Sequence, residues 1–168
     1  MKRTQIKLLT LTSALCAAIF VITAYLHIPT HTGYTHVGDA IVFFAGAMLP
    51  LPYAVFAAGV GGLLADLLTG YAIWAPGTVI IKSATVLFFS RRAGRIITKR
   101  NLLALIPAWV LCIGGYYLYE CIIVGNLVSP LAGIPGYIVQ SALSSALFVA
   151  LGFALDRLNF KKRFIGDI

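Results

Sequence analysis

Four charged side chains interrupt otherwise apolar stretches of this sequence: Asp39, Asp66, Lys82 and Glu120. A charge within a long apolar helix is costly unless it faces a cavity or pairs with another charge. Lys82 could form a structural ion pair with Asp66, and Asp39 could cap the helix that follows Gly38. Glu120 has no comparable structural explanation. We therefore regard Glu120 as the strongest single candidate for ligand binding.

Aromatic and polar side chains gather near these charges along the chain. They are Tyr34, His36, Tyr71, Trp74, Tyr116, Tyr117, Tyr119, Asn126, Tyr137 and Gln140. Tyr and Trp commonly form an anchoring belt at a membrane surface, but the opposite side of the predicted helices holds only Tyr53 and Trp109. This asymmetry favours a pocket with aromatic walls and a few polar groups. The predicted binding residues are Glu120, Asp66, Trp74, Lys82, Tyr116, Tyr34, His36, Asp39, Asn126 and Gln140.

The charge balance of this set indicates what kind of ligand would bind. Three carboxylates face one lysine, so the set favours a neutral or cationic ligand over an anion. A flat ring that carries NH donors would stack on the aromatic side chains and donate to the carboxylates.

Other kinds of chemistry find little support in the sequence. His27, His31 and His36 lie in one segment, but their spacing matches no compact zinc motif, so we expect no metal and no cofactor. Residues 77–83 faintly resemble a phosphate-binding loop, yet Ile81 stands where that motif requires glycine. The sequence pairs no nucleophile with a base, and we therefore do not expect an enzyme.

The composition of the chain predicts the structure that must position these residues. Hydrophobic residues make up 60% of the chain and charged residues 11%, with a mean hydropathy of +0.95. A soluble domain carries about 25% charged residues. Uncharged runs at 8–26 and 102–119 match the length that spans a bilayer as a helix. The sequence predicts one all-α integral membrane domain over residues 1–168, with six transmembrane helices at about 5–26, 39–49, 52–68, 79–89, 102–124 and 136–158.

The basic residues predict how these helices are oriented. They cluster before the first helix, in the connection at 91–100 and in the tail after 156, while the other connections contain no Lys or Arg. With six spans all three clusters fall on one side, which the positive-inside rule makes cytoplasmic. Both termini are then cytoplasmic. The net charge of +8 is explained by topology, and we expect no nucleic-acid partner.

Two patterns of small residues indicate close contacts between helices. Residues 57–65 carry several glycines and alanines spaced for helix packing within the protein. Ala14 and Ala18 form an Ala-xxx-Ala pair on the first helix, which on pattern alone is a weak signal.

The whole chain resembles the substrate-binding S components of energy-coupling factor (ECF) transporters. Its most specific stretches are 33–39 (GYTHVGD), 64–71 (LADLLTGY) and 80–82 (IIK). The resemblance implies a protein of the bacterial cytoplasmic membrane that captures a micronutrient from outside, beneath its first outer loop. It also implies a transmembrane coupling subunit and two cytoplasmic ATPases as partners. In this family an Ala-xxx-Ala motif docks onto the coupling subunit, and here that motif falls on Ala14 and Ala18.

Three ligand types agree with the charge balance: a queuosine precursor, a B6 vitamer or a thiamine-type pyrimidine. Two other functions remain open at this point. One is a small integral-membrane enzyme with Glu120, Asp66 and His36 as acid and base groups. The other is an assembly subunit that binds no ligand.

Overall fold

The computed structural model describes residues 3–30 and 33–165. Seven helices and one small hairpin make up this part of the chain. The helices are α1 (Arg3–Tyr25), α2 (Asp39–Met48), α3 (Leu51–Leu68), α4 (Ala72–Phe88), α5 (Lys99–Val124), α6 (Ser129–Arg157) and α7 (Phe160–Ile165), and the hairpin strands are β1 (His27–Pro29) and β2 (Tyr34–His36).

The described helices confirm a predominantly helical membrane protein. Four of them are long and apolar enough to cross a bilayer, namely Thr4–Tyr25, Leu51–Leu68, Lys99–Val124 and Ser129–Arg157. Asp39–Met48 and Ala72–Phe88 are shorter apolar helices. Every residue of α2 is buried, so its neighbours cover it on all sides. The crossing of all six segments, with both ends on one side, remains a prediction.

Two helices begin earlier than the sequence predicted. We expected the fourth helix at 79, but the helical backbone of α4 starts at Ala72 and carries Pro76 in the first turn of its regular part. The sixth was expected at 136, but α6 opens with a 3-10 turn at Ser129–Gly133. Proline is tolerated in a first turn, where its missing N–H would have had no partner. Trp74 consequently lies on a helix and not in a loop.

The hairpin between α1 and α2 was not foreseen. Its two short antiparallel strands pair His27 with His36 and Pro29 with Tyr34. Gly136 of α6 lies directly beneath it, and a Cβ there would come within 2.9 Å of the Thr35 hydroxyl. We call the end of the bundle that carries this hairpin the hairpin end. The end that carries the basic clusters at 91–100 and 157–163 is the basic end.

Glycines of α3 allow its neighbours to approach closely, as the small-residue pattern indicated. A Cβ on Gly61 would lie 2.8 Å from the Cys16 carbonyl oxygen of α1. A Cβ on Gly62 would lie 2.7 Å from the Lys82 side chain of α4. Gly62 therefore provides the space through which the long stem of Lys82 runs.

The middle of the bundle is a dry aromatic core. Phe43 and Phe89 stack with ring centroids 5.1 Å apart. Phe148 meets Phe43, Phe44 and Phe89 edge-on, and it is fully buried. This core separates the polar groups of the hairpin end from those of the basic end.

Candidate binding site

The hairpin end holds a small cavity. Its lining comes from β2 and its preceding turn, α3, α4, α5 and α6, and consists of Gly33, Tyr34, His36, Asp66, Trp74, Thr78, Tyr116, Tyr137 and Gln140. Its volume is about 20 Å³, which is space for about one water molecule. Binding sites for drug-sized ligands are commonly 300 Å³ or more, about fifteen times larger. A heterocyclic ligand could enter only if some of these side chains moved.

A buried ion pair forms one wall beside the cavity. The ammonium of Lys82 lies 2.5 Å from Asp39 Oδ1, and both side chains are nearly inaccessible. The amide of Gln140 donates to the other oxygen of Asp39 at 2.7 Å. Two of our alternatives are therefore wrong. Lys82 pairs with Asp39 and not with Asp66, and the Asp39 side chain does not cap α2, whose N-cap is Gly38.

His36 joins this network as a neutral ring. Its Nε2 lies 3.4 Å from the Lys82 ammonium, and its Nδ1 accepts from the Gly38 N–H at 3.1 Å. Burial, and then the positive charge of Lys82, lower the pKa of His36 to about 3. Protonation of the ring would place a second positive charge next to the Lys82 ammonium at a buried position. His36 is thus a neutral member of this network.

Asp66 brings an incompletely satisfied carboxylate into the cavity. Its side chain is buried, with 1% of the residue exposed. Oδ1 accepts a hydrogen bond from the Tyr34 hydroxyl. Oδ2 makes no hydrogen bond of regular geometry within the described residues, although the Thr78 hydroxyl interacts with this carboxylate. A buried carboxylate oxygen without a donor is unfavourable, and a ligand NH would relieve that cost.

Aromatic rings form the remaining walls. Tyr116 and Tyr137 stack with centroids 5.5 Å apart and an interplanar angle of 22°. The Trp74 indole lies 6.3 Å from the Tyr116 ring, centroid to centroid. Gly33 of the hairpin turn packs over the indole, where a Cβ would approach to 3.4 Å. The Tyr116 hydroxyl donates to Thr78 at 3.3 Å.

Glu120 lies next to this cavity but does not line it. The residue is fully buried, and its Oε2 accepts from the Tyr137 hydroxyl at 3.0 Å. Oε1 has no partner among the residues that the structure describes. Tyr137 connects the two, since it lines the cavity and its hydroxyl bonds Glu120. Glu120 does not pair with Lys82.

Asn126 is not brought into the site. It is exposed in the loop before α6, where its Oδ1 accepts from the N–H groups of Val128 at 2.6 Å and Ser129 at 3.3 Å. These bonds shape the start of α6. Tyr117 is similarly occupied, since its hydroxyl donates to the Leu127 carbonyl at 2.9 Å.

Thr78 and Gly33 line the cavity, although neither was among the predicted binding residues. Thr78 lies one helical turn before Lys82, so the spacing of four residues placed it on the same face of α4. That spacing was a usable signal. Gly33 lies within the motif at 33–39, but a glycine offers no side-chain chemistry to identify it.

The remaining predicted residues lie elsewhere. Ala14 is exposed on α1 and Ala18, one turn later, is half-buried. His31 lies outside the described residues. No group of three or more potential metal ligands is found within the described ranges 3–30 and 33–165.

The fold and the cavity together define a class of protein: a multi-pass helical membrane protein with a buried cluster of polar and aromatic side chains at one end. Comparison with protein families identifies the family within this class. The family model described as "ECF-type riboflavin transporter, S component" matches residues 3–157. The chain belongs to this family. A comparison with curated proteins found no match.

Membership of this family confirms the resemblance seen in the sequence. S components are the substrate-binding subunits of ECF transporters, and they work with a membrane coupling subunit and ATPases. The chain is therefore a membrane-embedded transport subunit that binds a small molecule, and the family is not one of enzymes.

Proposed function

We propose that this protein captures a flat heterocyclic nutrient at the hairpin end and delivers it through an ECF complex. The observation that carries the proposal is the buried Asp66 carboxylate, which leaves one oxygen unpartnered in a cavity walled by Trp74, Tyr116 and Tyr137. An aromatic clamp with a free acceptor suits a planar ligand that presents an NH group.

The electrostatics of the site narrow the ligand class further. Lys82 is already neutralised by Asp39, while Asp66 and Glu120 each retain an oxygen without a donor. The site therefore favours neutral ligands with NH donors, or cations, over anions. Riboflavin, which the family description names, is a flat ring system with an NH group and agrees with this chemistry. A queuosine precursor, a B6 vitamer and a thiamine-type pyrimidine remain the alternatives.

Ligand entry requires the hairpin end to open. Gly33, Tyr34 and His36 of the hairpin and its turn line the cavity, and the Tyr34 ring lies 4.5 Å from Tyr71 and bonds Asp66. The hairpin is small, with three residues in each strand. We infer that movement of β2, with Tyr34, admits the ligand.

The proposed topology places the hairpin end outside and the basic end in the cytoplasm of a bacterial cell. It rests on six membrane crossings and on the positive-inside rule. Ala14 would then lie at the middle of α1, exposed, and Ala18 one turn closer to the hairpin end, half-buried. Small side chains at these two positions would let another helix approach closely. We propose this face as the docking surface for the coupling subunit.

The ligand proposal is tested on protein purified gently in detergent. Small molecules extracted from it are identified by mass spectrometry, and riboflavin and the three alternatives are titrated by calorimetry.

Asp66→Asn should weaken binding by about ten- to a hundredfold, the usual effect of losing a hydrogen bond to a charged group. Trp74→Ala should also weaken it, through lost stacking. Asn126→Ala is the control, and its affinity should equal that of the unaltered protein. Absence of any bound heterocycle, or unchanged affinity in Asp66→Asn, would contradict the proposal.

The docking proposal is tested separately, by replacing both Ala14 and Ala18 with Trp. Bulky side chains on this face should prevent co-purification with the coupling subunit and stop uptake. Ligand binding by the isolated variant should stay unchanged, because none of the described residues of α1 lines the cavity. A double variant that still assembles and transports would show that another face makes the contact.

A further inference from the structure

A second cavity, of about 420 Å³, opens at the basic end, where α2 and α4 end and α3 begins. Its walls are apolar and its rim is cationic, from three arginines. The apolar lining includes Leu49, Leu51, Ala54, Val86 and Leu87, and the rim residues are Arg91, Arg92 and Arg100. We propose that this cavity binds an anionic phospholipid, with the headgroup phosphate at the arginines and the upper acyl chains against the apolar walls.

The charge of the cavity favours an anion. No acidic side chain occurs in its described lining. Asp156, an acidic residue in the described part of this end, uses its two oxygens to accept from the N–H groups of Ile96 at 2.7 Å and Ile97 at 2.9 Å. Basic pockets between membrane helices at the cytoplasmic surface are typical sites for anionic lipid headgroups.

A buried asparagine holds the three arginines together. Asn101 is fully buried, accepts from the Ser90 N–H at 2.8 Å and donates to the Ser90 carbonyl at 3.1 Å. Ser90 directly precedes Arg91 and Arg92, and Asn101 directly follows Arg100. This pair of hydrogen bonds therefore fixes both backbone segments that carry the rim. A pre-organised cationic rim binds an anion with less loss of entropy.

The apolar walls distinguish a lipid from other anions. Leu51 and Leu87 line the cavity and are 51% and 53% exposed, so its opening continues onto the apolar surface of the bundle. A free phosphate, or the carboxylates of an acidic protein segment, would satisfy the arginines and leave these walls uncovered. A phospholipid carries a phosphate and acyl chains in one molecule and covers both.

The test measures lipid retention by native mass spectrometry of the protein in lipid-free detergent. The probes are dioleoyl phosphatidylglycerol, dioleoyl phosphatidylcholine and the soluble headgroup glycerophosphoglycerol. The rim variant combines Arg91→Gln, Arg92→Gln and Arg100→Gln. The matched control removes three exposed positive charges elsewhere at the basic end, by Arg157→Gln, Lys162→Gln and Arg163→Gln. Thermal unfolding first establishes that both variants are folded.

We expect the rim variant to bind phosphatidylglycerol at least about tenfold more weakly, since each basic residue near an anionic lipid contributes a substantial share of the attraction. The control variant should bind it normally, and phosphatidylcholine should bind both proteins weakly. Equal binding by the rim and control variants would overturn the proposal. Competition by glycerophosphoglycerol as strong as that of the intact lipid would also overturn it, because it would show a site for a free phosphate.

Discussion

The two ends of the bundle treat their buried polar groups differently. At the basic end Asn101 bonds the backbone of Ser90 and also donates to the Ile96 carbonyl at 2.8 Å, and both oxygens of Asp156 accept backbone N–H groups. At the hairpin end Asp66 and Glu120 each keep one buried oxygen without a partner in the described structure.

This difference separates polar groups that hold the fold together from polar groups that we propose bind a ligand. Buried polar atoms in folded proteins almost always have hydrogen-bond partners, because an unsatisfied one costs free energy. Where two unsatisfied carboxylates adjoin one cavity, the protein is less stable than it could be. We propose that a bound ligand explains why they are retained. Polar residues of the basic end need no such explanation.

The largest expected effect concerns Lys82, a charged group at the hairpin end that does have a partner, Asp39. Lys82→Met would leave the Asp39 carboxylate buried with Gln140 as its remaining donor. Breaking a buried ion pair on one side typically costs about 3–5 kcal/mol of unfolding free energy. We expect a loss of this size in denaturant unfolding of the purified protein in detergent.

The double variant Asp39→Asn with Lys82→Met is the control for this prediction. It removes the pair without leaving a buried charge, so it should be more stable than Lys82→Met alone. If Lys82→Met unfolds at the denaturant concentration of the unaltered protein, the pair is not structural. The distinction between its members and the unsatisfied carboxylates would then fail.

An intermediate effect should distinguish the two ends directly. Glu120→Gln at the hairpin end should weaken ligand binding by roughly 1.5–3 kcal/mol, or about ten- to a hundredfold, and keep the fold. Asp156→Asn at the basic end should do the opposite. It should lower the unfolding free energy by about 1–3 kcal/mol, since one backbone N–H loses its acceptor, and leave binding unchanged.

Both variants are measured by calorimetric titration of the bound compound and by denaturant unfolding. The comparison between the two ends fails if Glu120→Gln affects stability alone. Unchanged affinity in that variant would show that Glu120 serves only as the acceptor for the Tyr137 hydroxyl, and the site would then consist of the cavity around Asp66.

The sequence identified the polar end of the bundle but not its pairings. Charges are rare in apolar helices, so Asp39, Asp66, Lys82 and Glu120 stood out, and the structure places all four in one half of the molecule. Which of them pair depends on how the helices rotate about their axes. In this chain that rotation is set by packing, such as the space that Gly62 leaves for Lys82, and no local pattern encodes it.

Other differences between the sequence predictions and the structure have local causes. The helix bounds predicted from the sequence left Pro76 and Pro135 outside helices, yet both occupy first turns, where proline is compatible with a helix. Asn126 resembled a pocket residue by its position, but a short Asn side chain in a loop commonly bonds the nearby backbone. Asn101 was passed over as part of a basic connection, although it organises that whole segment.

The smallest expected effect concerns Lys161 of α7, a charged residue at the basic end whose bonds are all to backbone. It is buried and donates to the Ala47 carbonyl at the end of α2 at 2.8 Å. Burial lowers the pKa of Lys161 from 10.5 to about 8 in the folded protein. Between these two values the unfolded chain binds more protons than the folded one, so stability rises with pH through that window. From pH 7 to pH 8 the rise in unfolding free energy should be less than about 1 kcal/mol, because the folded group has only begun to lose its proton.

Denaturant unfolding at several pH values should show a smaller slope of unfolding free energy against pH in Lys161→Met than in the unaltered protein. Lys162→Met, which alters an exposed neighbour on α7, should keep the original slope. Equal slopes in both variants would mean that the ammonium of Lys161 is as well solvated as a surface lysine, and that its contact with α2 does not bury the charge.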